Sequence, residues 1–599
     1  MNDIFVYPLQ NSKEYKDIIN CINNKKGSLL INGLLAVQKP HIAYSMYRDL
    51  NRQTIFITNS DLEAKKVYDD LSFYMKDNVE YLGSQDILFY HLDAKDRSEE
   101  AKKLKVLLKL AKGDNIILVT SIEAVMRKYI PKEVLLENIY NYKIGDTVNL
   151  ESLSETLVNL GYERVSKVEG FGQFSIRGGI VDIFSLEYNN PIRMELFDDE
   201  IDSIRTFDIF SQKSIKKIKE FSITPSREFI YPEDIKNALE KIKKDTSKHT
   251  NDDVFLSIDN ISSKTYFEGI ENYIDYLYPQ ENKSIFTYLQ ENAIVFFNDI
   301  SRTKERCENY LNEFKENYKL NLERGLAIKD QGKLIYTYSD LEFLCEGRRL
   351  VLNTLLPKPI NDLNVKSIVN FDSREVPNFN AKVDVLVEEL NRLKYNGYKI
   401  VLATNTYDRA KKLHTDLLDL GLECIISQDR DIEIKSSQIV IIPARITSGF
   451  EYKSIKFVVI TDNEMIGVHK RTSTSKSKKN KKGKKIESFL DLNIGDYVVH
   501  ENSGVGRYTG IEQITVNNIK KDYMKLVYQG GDNLYVPIDQ MDKVQKYIGV
   551  EEDKVKLNKL GTNEWTRAKA KVKREIEDMT KDLIELYAKR EKVKGYRRN

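Results

Sequence analysis

Short apolar runs at 28–32, 54–58 and 115–120, with stretches of helical spacing at 61–75 and 98–111 between them, constrain this chain more than any other feature. Each run has the length of a strand, and strands alternating with helices favour a parallel sheet wound on both faces. From about 139 to 225 the pattern becomes strand–turn–strand without long helices, which predicts a small inserted α+β domain. The strand–helix rhythm resumes through 253–258 and 293–297, both read as strands, to about 345. A further unit runs from about 375 to 467, with buried-strand candidates at 399–403, 438–442 and 456–461.

Residues 470–485 are rich in lysine and contain no acid, which predicts a disordered linker able to touch nucleic-acid phosphates or to serve as a plain hinge. Short strands broken by glycines at 494–538 suggest a small barrel, with a hairpin around Gly530-Gly531-Asp532. Beyond it Val572, Ile576, Met579, Leu583 and Leu586 make one apolar helix stripe, and a basic tail at 592–599 suggests the boundary of a domain not shown. The expected class is a multidomain α/β protein. Its divisions are 1–138 and 226–345 for the first α/β domain, 139–225 for its insertion, and 346–469 for a further α/β domain. The linker at 470–485, a barrel at 486–550 and a helical connector at 551–599 complete it.

Composition narrows the function classes. Lysine and arginine number 93 against 91 acids, so any nucleic-acid contact must come from local patches. No run is long and apolar enough to cross a membrane, and the start lacks a secretory pattern. Cys21, Cys307, Cys345 and Cys424 lie far apart, as expected of reduced thiols in a cytoplasmic protein, and the scattered histidines support neither zinc nor a catalytic cluster.

After the run at 28–32 comes Gly33-Leu-Leu-Ala-Val-Gln38-Lys39-Pro40, at the place of a phosphate loop. Such a loop reads G-x-x-x-x-G-K-[ST]: glycines let N–H groups approach phosphate and the hydroxyl holds magnesium. Gly33 and Lys39 fit, but Gln38 replaces the second glycine, and Pro40 replaces the hydroxyl residue and removes an N–H from the helix start. Downstream, Asn298-Asp299 stands where an apolar strand would deliver an Asp-Glu pair, and Ser301 supplies no acid. Together these changes predict a nucleotide-binding fold kept as scaffold, with no catalytic residues, cofactor or metal. The other reading of Lys39 is a surface lysine of an unrelated α/β domain.

Gly172-Gln-Phe-Ser-Ile-Arg-Gly-Gly-Ile-Val-Asp-Ile-Phe184, then Arg193-Met-Glu-Leu-Phe-Asp-Asp-Glu-Ile201, resemble the insertion domain shared by UvrB and the Mfd coupling factors. Ile494-Gly-Asp-Tyr-Val-Val-His500, Gly504-Val-Gly-Arg-Tyr-Thr-Gly-Ile511 and Leu534-Tyr-Val-Pro537 look like the RNA-polymerase-interacting domain of that family, related to CarD-type regulators. Lys559-Leu-Gly561, Trp565 and Leu586-Tyr-Ala-Lys-Arg590 resemble the family's connection towards its motor. The resemblance implies the adaptor half of a bacterial transcription-repair coupling factor, a cytoplasmic monomer that binds stalled RNA polymerase through its β subunit and recruits UvrA. It implies ATP, magnesium and double-stranded DNA translocation only in a motor outside this chain. UvrB's tyrosine-rich hairpin has no counterpart at 81–97, which holds only Tyr81 and Tyr90. Two other readings are a UvrB- or helicase-type repair ATPase, against which the damaged motifs count, and a CarD-like regulator, against which the long N-terminal region counts.

Period-two alternation puts Phe174 and Ile176 on one face and Ser175 and Arg177 on the other; Met194 and Leu196 likewise oppose Arg193, Glu195 and Phe197. By resemblance Arg177, Arg193 and Phe197 form the UvrA-binding surface, with Asp182 structural and Asp198-Asp199 in a turn. Also by resemblance, Tyr523, Met524, Lys525 and Leu526 contact polymerase, on a strand expected at a sheet edge where a partner could pair.

Overall fold

The computed structural model describes residues 3–24, 27–85, 87, 89, 97–247, 250–355, 363–466, 494–501, 503–516, 519–537, 544–547, 556–560, 565 and 567. The expected linker at 470–485, the stripe from Val572 to Leu586, the tail and Tyr90 lie outside them.

Four parallel strands open the chain: β1 (Gly27–Asn32), β2 (Thr54–Thr58), β3 (Val79–Leu82) and β4 (Ile117–Ser121). Helices Gln38–Leu50, Asp61–Met75 and Arg97–Lys112 connect them. Ser60 starts the second helix by accepting from the Glu63 N–H, as an N-cap serine does.

The insertion follows as β5 (Tyr140–Lys143), β6 (Glu163–Arg164), β7 (Gln173–Arg177), β8 (Ile180–Ile183), β9 (Ile192–Phe197), β10 (Glu200–Phe207), β11 (Ser214–Ile218) and β12 (Glu220–Ile223). Strands β6 to β11 lie side by side in chain order. The outermost pair, β5 and β12, runs antiparallel as a two-stranded stem where the chain enters and leaves. Phe174, Val181, Ile183, Ile192, Met194 and Ile204 bury the inner face against Leu153 and Leu157 of helix Leu150–Asn159.

The segment 253–258, expected as a strand, is instead part of helix Asp252–Ser262. Asn251 caps it, and Val254, Ile258 and Ile261 are buried at helical spacing while Phe255 and Leu256 face out. Strands β13 (Ile294–Phe297), β14 (Arg349–Thr354) and β15 (Val365–Asn370) then complete a parallel sheet in the order β15-β1-β14-β13-β2-β4-β3. The first sheet therefore extends to Asn370, past the boundary expected at 345, because β14 and β15 flank β1.

A second mostly parallel sheet contains β16 (Ser373–Glu375), β17 (Lys399–Thr404), β18 (Ile425–Ile426), β19 (Ile439–Pro443), β20 (Phe450–Tyr452) and β21 (Phe457–Thr461). Ile400, Leu402, Ile439 and Ile441 pack under helices Val383–Tyr395 and Tyr407–Asp419. The opposite face sends Val401, Ala403, Val440 and Ile442 into the same core as Ile31, Ile42 and Phe56. The two sheets are thus joined through one apolar layer.

The last sheet is antiparallel: β22 (Tyr497–His500), β23 (Gly504–Val516), β24 (Ile519–Val527), β25 (Asn533–Pro537) and β26 (Val544–Lys546), in the order β25-β24-β23-β22-β26. Its core is Val498, Tyr508, Met524, Leu526, Tyr528, Val536 and Val544.

Candidate interaction surfaces and a filled phosphate loop

The loop after β1 is turned into the joint between the two sheets. Gly33 has φ +82°, and a Cβ there would collide with the Phe371 carbonyl oxygen. The Phe371 N–H donates to the Asn32 carbonyl at 2.9 Å, which fixes that close approach. Gln38 is fully buried; its Oε1 accepts from the Leu35 N–H at 2.9 Å, and its Nε2 donates to the Glu451 carbonyl of β20 at 3.3 Å. Protein groups therefore occupy the approach that phosphate would need.

Lys39 and Asn298, read separately from the sequence, meet here. Lys39 Nζ donates to the Asn298 carbonyl at 2.7 Å, and Asn298 Nδ2 donates to Glu63 Oε1 at 2.7 Å. Burial lowers the Lys39 pKa, against the opposing charges of Asp299 and Glu63. Asp299 is spent on capping helix Ile300–Glu323, accepting from the Arg302 N–H. Pro40 lies buried near the start of helix Gln38–Leu50, a position that tolerates a missing N–H. Next to it His41 ties its helix to the N-terminal segment and to β20, its ring bonded to the Phe5 carbonyl and to the Tyr452 hydroxyl.

On the insertion, Arg177 and Arg193 do share one face, and one carboxylate joins them. Asp182, 1% exposed, accepts from Arg193 Nε at 2.6 Å and Nη2 at 2.8 Å, and from Arg177 Nη2 at 2.7 Å. Cross-strand register explains the meeting, since Asp182 lies opposite Arg193 and beside Ser175. Arg193 is only 14% exposed, is also bonded to Gln212, and lies over the Phe207 ring. Arg177 is 49% exposed and Phe197 81% exposed. Phe197 ends β9 just before Asp198, whose φ of +60° turns the chain. The neighbouring Glu195–Arg205 pair was not apparent in the sequence, because it needs the β9–β10 register.

In the last sheet, the expectation of an edge strand at Tyr523–Leu526 is corrected. Strand β24 is interior, paired with β23 on one side and β25 on the other. Met524 and Leu526 are fully buried, whereas Tyr523 and Lys525 lie on the opposite, half-exposed face. Lys525 Nζ donates to Glu512 Oε1 at 2.7 Å. Among the described residues β25 and β26 are the two edge strands, and the terminal Pro537 of β25 fits that position.

Among the described residues no acid, cysteine or histidine cluster could hold a metal, and no helix is long and apolar enough to cross a membrane. The four thiols are free, with Cys21, Cys307 and Cys345 buried.

A UvrB interaction domain matches residues 141–229, and a CarD-like/TRCF RID domain matches residues 492–548, so the chain is of the class that carries both. Over nearly all its length it is similar to proteins named transcription-repair-coupling factor. The protein of that name from Bacillus subtilis is 33% identical over 614 residues, covering 98% of this chain and 51% of the relative. The one from Staphylococcus aureus strain MRSA252 is 32% identical over 586 residues, covering 95% and 49%. This chain therefore spans about half the length of the relatives it matches.

Proposed function

We propose that this chain is the docking half of a transcription-repair-coupling factor, working in the cytoplasm. It holds stalled RNA polymerase by its β subunit through the β22–β26 sheet and presents the outer face of β7–β10 to UvrA. The observation that carries the UvrA part is Phe197, 81% exposed at the end of the strand whose Arg193 is anchored, with Arg177, on a buried carboxylate. An exposed aromatic on a strand that also carries a preorganised guanidinium group has the composition of an interface hot spot. On the polymerase side, Tyr523 and Lys525 are the accessible members of the four candidates, and β25 is one of the sheet's two edge strands among the described residues. No nucleotide or metal is assigned to residues 1–599; ATP-driven translocation on double-stranded DNA is assigned to the half of the relatives that this chain does not cover.

The test is UvrA binding by titration calorimetry. Phe197→Ala and Arg177→Ala should each weaken binding by about 1–3 kcal/mol, with the melting temperature unchanged. Wild-type affinity in both variants would remove UvrA from this face.

A further inference from the structure

The match to the CarD-like/TRCF RID domain stops at residue 548, but the chain returns to the sheet beyond it. Asn558 lies against β23: its N–H donates to the Val505 carbonyl at 3.0 Å, and its side-chain Oδ1 accepts from the Val505 N–H at 2.7 Å. Its carbonyl accepts from the Gln529 N–H, 3.0 Å away, in the turn between β24 and β25. One residue thus joins the start of β23 to the turn between β24 and β25. Two residues on, Leu560 packs against the sheet's apolar core.

Trp565, the sole tryptophan of the chain, completes the contact. Its Nε1 donates to the Glu501 carbonyl at 2.8 Å, in the turn between β22 and β23. Gly504 closes that turn with φ +80°. A Cβ there would collide with Asn558 Oδ1 and come within 3.0 Å of Trp565 Cδ2, so the turn is shaped to receive both side chains. A side chain that replaces a missing strand partner at a backbone N–H is a specific device, since that N–H would otherwise lack an acceptor.

We infer that Asn558 and Trp565 form a clasp that fastens the connector to the turns of the β22–β26 sheet, so that sheet and connector respond as one unit. The clasp stands on the free chain alone. Its use, passing the polymerase-bound state of the sheet into the connector, rests on the polymerase-binding reading above.

The experiment uses the full chain with Asn558→Ala, which removes the side-chain acceptor, and Asn558→Asp, which keeps it. Trp565 emission with acrylamide quenching, and amide exchange at Val505, are the readouts. Asn558→Ala should raise Val505 exchange at least about tenfold, as local opening does, and should shift Trp565 emission to the red with stronger quenching. Asn558→Asp should stay close to wild type. Unchanged Trp565 and Val505 signals in the alanine variant, or equal losses in both variants, would overturn the clasp. A β-subunit fragment of RNA polymerase without tryptophan is then added to the wild-type chain. A change in Trp565 emission is expected; binding without any change would overturn the coupling. Absence of binding would sink the polymerase reading while leaving the free-chain clasp result in force.

Discussion

Asp182 is the residue on which the outer face of the insertion depends. It is buried, and it neutralises Arg193, which has little access to water. Removing one member of a buried ion pair typically costs about 3–5 kcal/mol, because the remaining charge is stranded. Asp182→Ala should therefore lower the stability of the insertion by that order in thermal unfolding, while Phe197→Ala leaves it unchanged. A melting temperature insensitive to Asp182→Ala would mean that Arg193 finds sufficient compensation in Gln212 and the Phe207 ring. The same reasoning makes Arg193 a poor probe of partner binding, since its loss also disturbs the fold. At Gly33 the expectation is different in kind. Restoring the loop motif with Gln38→Gly and Pro40→Ser should not create Mg-ATP binding in calorimetry. The Phe371 carbonyl and the Glu451 strand would still stand in the approach, and micromolar binding by the restored loop would contradict that geometry.

Strand β24 shows how an element can be recognised in sequence yet misplaced in its sheet. Its alternation was legible, and Met524 and Leu526 do share a face. Whether that face was a core or a docking surface depended on β23 and β25 pairing on either side, which no local pattern encodes. Met524→Arg should accordingly abolish protection of the β22–β26 amides in hydrogen exchange, since burying an unpaired guanidinium is prohibitive. Lys525→Ala should leave them protected. A folded Met524→Arg sheet would reopen the placement of that side chain. Strands β1, β2, β4 and β13 of the first sheet were legible because parallel strands covered on both faces read as continuous apolar runs, whereas β3, β14 and β15 were not read. Helix Asp252–Ser262 was misread for a related reason. Its Val-Phe-Leu run imitates a strand, although of the three only Val254 is buried, with Ser257, Ile258 and Ile261 following at helical spacing. Alternation could place Arg193 and Phe197 on one face of their strand, and resemblance added Arg177, whereas Asp182 as the anchor of both arginines required the cross-strand register.

The joint between the two parallel sheets carries two titrating groups whose effects oppose each other. Asp70 accepts from the Thr447 N–H at 3.2 Å and hydroxyl at 3.0 Å across the joint, and burial pushes its carboxyl up to about 6. His41, fully enclosed, is lowered to about 4 by burial. For Asp70 the folded state binds its proton more tightly, so its stabilising contribution is complete below pH 3.8 and is lost as pH rises through 6. For His41 the contribution is complete above pH 6.5 and is lost as pH falls through 4. Each shift corresponds to about 3 kcal/mol, and between pH 4 and 6 their opposite dependences on pH largely cancel. Asp70→Asn keeps an acceptor for the Thr447 N–H and removes the ionising group. It should raise the melting temperature at pH 7.5 and lose that advantage towards pH 4. A gain independent of pH would show that the Asp70 carboxyl titrates alike in the folded and unfolded chain.

The β5–β12 stem gives the insertion a single doorway. Entry and exit strands leave the first sheet hydrogen-bonded to each other, so the ends of the 140–223 excursion are already closed before any of its interior is specified. To the rest of the chain such an excursion is one short hairpin whose loop happens to be a domain. Its contents can lengthen, shrink or change partner without altering the path of the parallel sheet. A lineage could therefore exchange the guest and keep the host, and the host's order of strands would hold no record of the exchange.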